Sequence, residues 1–241
     1  MPGSDGVNYT DLKKAIRGYV ENDYPTITFA DSATTWTSDQ QLATFVKQAE
    51  QRIYNSVQFP SLRKNVTGSA TLNNQYLQCP SDFLAVYSMA VIDATGRYHY
   101  LLNKDVNFIR EAYPVTLGSG NTGRPRHYAI FGPDYPTFPN ELTFLLGPTP
   151  DSGYSVELHY YYYPQSITEA ASGQTWLGDN FDSVLLYGSL REAYFFIKAE
   201  PDMMGAVQNK YEEALALAKR LGDGMERQDA YRSGQVRYPV K

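Results

Sequence analysis

Residues 147–164 read GPTPDSGYSVELHYYYYP, and this stretch decides the fold. A glycine and two prolines lie at its start and Pro164 lies at its end, and such residues commonly flank a β-strand. Inside it, one alternating set contains Val156, Leu158, Tyr160 and Tyr162, and the other contains Glu157, His159, Tyr161 and Tyr163. Successive side chains of a strand point to opposite faces. The first set therefore predicts an apolar face and the second a more polar one.

Similar short alternating stretches come before this strand. They cover residues 66–72, 75–79, 85–92, 127–131 and 141–146, and the last strand covers 154–163. Proline and glycine residues separate them, which is typical of antiparallel strands joined by turns. A short helix is predicted over 104–112. We therefore predict a β-rich antiparallel domain at residues 63–175.

Helical periodicity dominates the chain before this domain. A first helix is predicted over 10–22, where Pro25 marks its end. Ser38 is the candidate N-cap of a second helix, with Gln41 three residues later in the pattern of a capping box. Its apolar stripe ends near Pro60. Residues 1–62 are thus predicted to form the N-terminal helices of a bundle.

Helical periodicity also returns after Trp176. Asp179 or Asn180 is a candidate cap for a helix that runs to about residue 198 and is apolar on almost every side. Pro201 fits the first turn of the next helix, and Gly222 is expected to end it. The short connection predicts a helical hairpin over residues 176–224. Residues 225–241 lack an apolar stripe and are predicted to form an extended tail.

The predicted fold class is therefore α+β. N-terminal helices and a C-terminal helical hairpin form a bundle, a β-rich antiparallel domain interrupts it, and an extended tail follows.

Composition narrows the classes of function. The chain has 241 residues, a net charge of -5 and a single cysteine. A net negative charge disfavours electrostatic binding to DNA, and one cysteine excludes an internal disulfide and a cysteine-rich zinc site. We find neither a membrane-spanning apolar run nor a secretory signal, so no membrane partner is expected.

Motifs that carry chemistry are weak. Residues 118–123 read GSGNTG and match the dinucleotide fingerprint, but Pro125 disfavours the helix that must follow. The three histidines lack metal-ligand spacing, and Cys79 before Pro80 reads as a small buried residue. We predict no enzyme activity, no metal and no cofactor. A hydrolase whose carboxylates meet only in space remains an alternative.

Tyrosine is the unusual residue, with 21 copies against 11 phenylalanines and 2 tryptophans. Its apolar ring and polar hydroxyl suit half-buried strands and protein interfaces equally well. A carbohydrate-binding or other surface module, with Tyr160–Tyr163 and Trp176 as a stacking platform, is the alternative function. An exposed row of coplanar rings on one sheet face would distinguish it.

The order of the sequence blocks is itself informative. A helix reading FVKQAEQRI at 45–53 is followed by YLQCPSDFL at 76–84, and by RP at 124–125 with YAI at 128–130. Pro148, the tyrosine strand and Trp176 come next, and YGSL at 187–190 precedes a last helix containing Tyr211. In this order the chain resembles the head-to-tail adaptor (connector) proteins of tailed bacteriophages, from about residue 11 to 221.

The resemblance implies a structural virion protein. Members of such families form rings, commonly of twelve copies, under the portal protein, where they extend the DNA channel and provide an attachment surface for tail or nozzle proteins. The implied location is the neck of the virion, after assembly in the host cytoplasm, with DNA passing through without sequence-specific binding.

Two sets of contact residues are expected on this basis. By analogy with the family, portal contacts are assigned to the tail, at Arg227, Tyr231, Arg232, Arg237 and Tyr238. Subunit contacts are expected on the tyrosine strand and on the apolar helix, at Tyr161, Tyr163, Tyr194 and Phe195.

Overall fold

A computed structural model of the chain describes residues 6–30, 34–57, 59–115, 121–132 and 141–232, and for 223–232 it describes the backbone only. Contacts divide the chain into two compact units. Unit 1 contains residues 1–61 and 164–241, and unit 2 contains residues 62–163. No described helix is both long and apolar enough to cross a membrane.

Six helices and ten strands are described. The helices are α1 Tyr9–Val20, α2 Ser38–Ser56, α3 Val106–Ala112, α4 Trp176–Asn180, α5 Asp182–Phe196 and α6 Pro201–Arg232. The strands are β1 Ile27–Thr28, β2 Thr35–Trp36, β3 Arg63–Ala70, β4 Tyr76–Gln78, β5 Ala85–Ile92, β6 Tyr98–Tyr100, β7 Leu102–Asn103, β8 His127–Phe131, β9 Thr143–Gly147 and β10 Tyr154–Tyr161. The α+β class is confirmed.

The capping box of α2 lies one residue earlier than predicted. Thr37 is the N-cap and accepts from the Gln40 amide, while the Gln40 side chain accepts from the Thr37 amide. Ser38 is the first helical residue instead, and its hydroxyl donates to the Asp23 carbonyl. Gln41 is fully buried and donates to the carbonyls of Pro25 and Trp36. Thr37 and Ser38 both have a hydroxyl group and could each serve as the N-cap. The tertiary hydrogen bonds of Ser38 and Gln41 select Thr37.

Helix α5 is the centre of unit 1, where it contacts α1, α2, α4 and α6. Gly188 lets α5 approach α2 and α6 closely, because a Cβ atom at this position would lie 3.2 Å from both the Ala49 Cβ and the Tyr211 ring. The predicted cap at Asp179 or Asn180 is wrong: those residues belong to the separate helix α4, and α5 begins after Phe181. The Phe181 ring packs against Phe59 and Trp176, which fixes this break.

Helix α6 begins at Pro201 as predicted, but it does not end at Gly222. It continues to Arg232, so the prediction that residues 225–232 are extended is wrong. Glycine costs an established helix only about 1 kcal/mol relative to alanine. The sequence MERQDA at 225–230 consists mostly of good helix formers, and it contains no proline. Residues 233–241 lie outside the described part of the chain.

A buried carboxyl group fastens the segment after unit 2 to α2. Glu50 is 3% exposed and accepts from the Ile167 amide at 2.9 Å, and the Ile167 side chain is itself fully buried. Burial raises the pKa of Glu50 above its ordinary value. Contacts accordingly assign residues 164–175 to unit 1, although the sequence pattern placed them at the end of the β-rich domain.

Unit 2 is built from two four-stranded sheets. The first has the order β3-β10-β5-β6 and the second the order β4-β9-β8-β7. All pairs are antiparallel except β7 with β8, which is parallel. The pattern predicted the other six strands of this unit, and it missed the short strands β6 and β7.

The core of unit 2 lies between these two sheets. Val156, Leu158 and Tyr160 from the first sheet share one buried cluster with Tyr128, Phe144 and Leu146 from the second. The predicted apolar face of β10 is therefore confirmed. Helix α3 covers the opposite face of the second sheet through Ile109, which packs against Ala129 and Leu145.

The two ends of unit 2 are paired with one another. Arg63 at the start of β3 lies opposite Tyr161 at the end of β10, and the Tyr162 amide donates to the Leu62 carbonyl at 3.0 Å. A continuous segment can thus leave and rejoin the helical sequence at adjacent positions.

Gly188→Leu should destabilise the protein by about 1–3 kcal/mol or more, since the added side chain must displace Ala49 and Tyr211. Gly18→Leu is the matched control, because Gly18 is an exposed helical glycine with open space around its Cα. Chemical denaturation followed by helical circular dichroism checks both. Equal midpoints for the two variants would contradict the close α2–α5 packing.

Glu50→Gln should gain stability relative to the wild type as pH rises. A carboxyl whose folded pKa exceeds its unfolded value binds more protons in the folded state, so its contribution to stability falls as pH rises through that interval. Glutamine keeps an oxygen that accepts from the Ile167 amide and carries no charge. Thermal unfolding of wild type and variant between pH 4 and 8 measures the difference, with the exposed Glu213→Gln as control. A pH-independent difference would argue against the raised pKa.

Candidate functional site

The exposed face of the first sheet carries a tyrosine-rich surface. Tyr161 and Glu157 lie opposite Ala85 and Ala90 of β5, and Tyr100 of β6 lies opposite Ala90 in turn. Register therefore places these side chains on the face turned away from the core. We call this surface the tyrosine face and define it by Arg63, Tyr87, Tyr98, Tyr100, Glu157, His159 and Tyr161.

An arginine lies against two rings of the tyrosine face. The Arg63 guanidinium is 4.5 Å from the Tyr87 ring centroid and 5.6 Å from that of Tyr161. The two rings are 5.9 Å apart and nearly perpendicular, at 79°. Cation–π and edge-to-face contacts hold these side chains in place, so the surface is partly ordered before any partner binds. Sequence analysis missed Arg63, because its only signal is a position opposite Tyr161.

Polar groups on the same face link neighbouring strands. The Glu157 carboxylate hydrogen-bonds the Tyr98 hydroxyl and raises the pKa of that hydroxyl. His159 Nε2 lies 3.5 Å from Glu157 Oε1, and its Nδ1 lies 3.4 Å from the Ser88 hydroxyl. Large rings mixed with hydrogen-bonding groups are typical of protein interfaces.

The four consecutive tyrosines divide as the alternation predicted. Tyr160 is buried, and its hydroxyl donates to Asp82 at 2.7 Å. Tyr162 packs partly on the core, while Tyr161 belongs to the tyrosine face and Tyr163 is 38% exposed. The two expected interface residues of this strand thus present at least part of their rings to solvent.

A second surface lies on unit 1 around Phe195. This phenylalanine is 69% exposed at the end of α5. It lines two cavities of about 420 and 600 Å³ that also share Glu192 and Met204, and we call them together the Phe195 groove. Its described lining residues are Thr44, Phe45, Gln48, Arg52, Arg191, Glu192, Tyr194, Phe195, Phe196, Lys198, Ala199, Met204, Gly205, Val207 and Gln208. An exposed ring beside apolar concavities is a typical protein-binding feature.

Tyr194 differs from the other expected interface residues. It is 6% exposed, and its hydroxyl donates to the Tyr19 carbonyl at 2.7 Å. Burial raises the pKa of this hydroxyl. The side chain therefore joins α5 to the end of α1, and the neighbouring Phe195 supplies the exposed ring. A helix that is apolar on nearly every side does not reveal from sequence which residue faces outward.

The structure favours neither the carbohydrate-binding alternative nor the hydrolase alternative. Tyr160 is buried, Trp176 packs against Phe59 and Phe181, and the Tyr87 and Tyr161 rings are not coplanar. Among the described residues that line the Phe195 groove, the only carboxylate is Glu192, and Arg52 pairs with it at 2.7 Å.

The remaining predicted motifs occupy structural positions. His99 contacts Asp93 at 2.8 Å and Arg124 at 3.0 Å, and His127 lies 3.2 Å from the Tyr113 hydroxyl. In the described part of the GSGNTG motif, Thr122 bridges to Thr149 and a strand follows in place of a helix. Within the described residues, no cluster of histidine, cysteine and acidic side chains is suited to a metal ion.

The side chains of the five residues expected to contact the portal protein lie outside the described part of the chain. The side chains of Arg227, Tyr231 and Arg232 lie outside the described residues, although their backbone continues α6. Arg237 and Tyr238 lie outside them entirely.

Comparison with known protein families assigns the chain to a family. The pattern of the SU10 adaptor protein family matches residues 7–238. The chain belongs to this family. The resemblance to phage head-to-tail adaptors is thereby confirmed, and the match covers both units. Membership implies a bacteriophage structural protein at the neck of the virion that interacts with other head and tail proteins. No curated protein matches the adaptor.

The single cysteine of the adaptor should be inert in the folded state. Cys79 is 3% exposed, and burial raises the pKa of its thiol to about 12. Thiolate is the reactive form, so a thiol reagent at pH 8 should modify Cys79 only after denaturation. Rapid labelling of the native protein, read by mass spectrometry, would show that the thiol is accessible.

Proposed function

We propose that the protein forms a homo-oligomeric ring under the portal protein, extends the DNA channel and provides the attachment surface for tail proteins. The observation that carries this proposal is the adaptor family match, which covers residues 7–238. The role is structural, with no bond made or broken. Assembly takes place in the host cytoplasm, and twelve is the expected number of copies by family resemblance.

Ring closure requires heterologous contacts, in which one surface of a subunit meets a different surface of its neighbour. The chain offers two different aromatic surfaces, one on each unit. We propose that the tyrosine face, including Tyr161, and the Phe195 groove both take part in subunit contacts, with Tyr163 as a further contact residue. Burying an exposed phenylalanine is worth about 1.5–3 kcal/mol, and a ring repeats that gain at every interface.

The helical elements of unit 1 support the predicted bundle. We propose that α1, α2, α5 and α6 form this bundle, that α5 and α6 are its C-terminal hairpin, and that the β-rich domain is an insertion into it. Packing of α5 against α1, α2 and α6, and the pairing of the two ends of unit 2, support this arrangement.

A channel through which DNA slides should attract the DNA only weakly. The net charge of -5 disfavours a cationic trap around a passing duplex. We propose that DNA traverses the ring without sequence-specific binding.

Portal docking is assigned to residues 225–241. Arg227, Arg232 and Arg237 supply charge, and Tyr231 and Tyr238 supply apolar area. Since α6 continues to Arg232, the first half of this segment would extend that helix toward the portal.

Phe195→Ser should reduce ring formation strongly while leaving the fold intact. The ring is exposed, so its loss should change the free energy of unfolding by about 0.5 kcal/mol or less. Light scattering after size-exclusion chromatography, with and without portal protein, measures assembly. Phe131→Ser is the control, because Phe131 is 57% exposed but lies on the second sheet, outside both proposed surfaces. Undiminished rings in the Phe195 variant would remove the groove from the interface.

Deletion of residues 225–241 should leave a stable body that no longer docks on portal protein. Deletion of 233–241 alone keeps α6 complete and should lose only part of the affinity. Co-sedimentation of each variant with portal rings measures docking, and circular dichroism verifies folding. Full docking by the longer deletion would place the portal contact elsewhere.

A further inference from the structure

Strand β3 leaves a long edge of the first sheet open. It pairs with β10 along all eight residues, and within the described chain β10 is the only strand that pairs with it. Residues 64–69 are all exposed. An edge of this length offers a row of backbone N–H and C=O groups to another strand, and natural proteins usually block such edges.

The usual blocking devices are missing from β3. It contains no proline, and its register with β10 has no bulge. Its two charges lie at its start and engage groups of the same unit, since Lys64 pairs with Asp82 at 2.7 Å and Arg63 stacks on Tyr87. The remaining six residues, NVTGSA, are uncharged. An unblocked edge indicates that pairing with another strand is part of its role.

Val66 supports this interpretation independently. It lies opposite Leu158, which is 4% exposed, so Val66 is on the core side of the sheet. It is nevertheless 37% exposed. A strand added beside β3 would cover this flank of the core, as cross-strand neighbours do inside a sheet.

The opposite edge of the same sheet supplies a complementary strand. Strand β6 pairs with β5, and no other described strand lies beside it. Its Tyr98 and Tyr100 are 50% and 71% exposed on the tyrosine face. On β3 the same face carries Asn65 and Thr67, which lie opposite His159 and Glu157. Aromatic rings beside β-branched residues form favourable cross-strand pairs.

Strand direction decides which pairing a ring permits. The order β3-β10-β5-β6 alternates in direction at every step, so β3 and β6 run in opposite directions. Cyclic symmetry keeps all copies in the same orientation. When β6 of one copy lies beside β3 of the next, the pair is therefore antiparallel, and the exposed faces remain on one side. Antiparallel pairing is the more stable type.

We propose that β6 of one copy pairs antiparallel with β3 of the next, so that the first sheets join into one continuous sheet around the ring. The occupant of the β3 edge is thus a second copy of this chain. The inference deepens the proposed ring and rests on it. At about 4.8 Å between strands, twelve four-stranded sheets give a circumference of about 230 Å and a diameter of about 70 Å, which leaves a wide central passage.

Disulfide trapping tests the pairing in the full-length protein assembled with portal protein. Tyr100→Cys is combined in turn with Asn65→Cys, Thr67→Cys or Ser69→Cys, because these β3 positions share its face. Paired residues in an antiparallel ladder are close enough for a disulfide. After oxidation, at least one double variant should give a ladder of covalent multimers on a non-reducing gel, and the single variants should not. Tyr100→Cys with His159→Cys, on the central strand β10, is the control and should give no ladder.

A second variant covers the case in which no introduced pair reacts. Val66→Lys puts a charge on the core side of the edge, which blocks strand addition, and it should lower the fraction of protein in rings by about tenfold or more. Asn65→Lys, on the exposed face, should have a smaller effect. Circular dichroism verifies the fold of both variants.

These experiments distinguish a failure of the proposed strand pairing from a failure of the proposed ring. Covalent dimers from Thr67→Cys alone would indicate two-fold β3–β3 pairing and overturn the proposal. Intact rings that neither cross-link nor respond to Val66→Lys would overturn the edge pairing and leave the proposed function standing. Absence of rings in the wild type, with and without portal protein, would overturn both.

Discussion

The pairing of β10 with β3 on one side and β5 on the other is the constraint on which unit 2 depends. Because β10 lies between them, its register fixes both neighbours, and its buried residues Val156, Leu158 and Tyr160 fix the position of the opposite sheet. The same pairing holds the two ends of the unit side by side through Arg63 and Tyr161. A shift of one residue would exchange the two faces of β10 and expose the apolar set.

The same alternation explains why a core strand can also carry an exposed aromatic surface. The buried Tyr160 donates its hydroxyl to Asp82, whereas the next residue, Tyr161, contacts Arg63 and Tyr87 on the exposed face of the sheet. The identical side chain thus serves the core at one position and a surface at the next. Helix α5 repeats this division with Tyr194, which bonds to α1, and Phe195, which remains exposed.

Sequence patterns predicted the elements with strong periodicity. The strands near residues 85–92 and 127–131 have the predicted bounds, because alternation and turn residues agree there. The patterns were wrong where two local solutions have similar free energies. Thr37 and Ser38 both suit an N-cap, and Gly222 could either end α6 or be tolerated within it. In both cases the outcome depends on neighbours that are distant in sequence or on residues that follow the signal.

Candidate surfaces were harder to predict than elements. Tyr161 and Phe195 were recognisable as large rings on suitable elements, but nothing in the sequence separates the exposed Phe195 from the buried Tyr194 beside it. Arg63 is marked only by its position opposite Tyr161, which the register reveals, and its partner Tyr87 is brought near because β10 lies between their two strands. Side-chain clusters that form across three strands require the register, and the register requires the fold.

A ring also changes how strong each contact must be. In a closed ring every subunit makes two contacts, and the last one forms between partners that are already held close, so its effective concentration is high. Individual surfaces can therefore stay modest, such as one exposed phenylalanine or one short strand, without preventing a stable assembly. Modest surfaces also leave the separate chain free of a large apolar patch before assembly. In the proposed ring, this balance would explain why the exposed aromatic residues are spread over two units and are interleaved with Arg63, Glu157 and Arg191, which hold or border the aromatic rings.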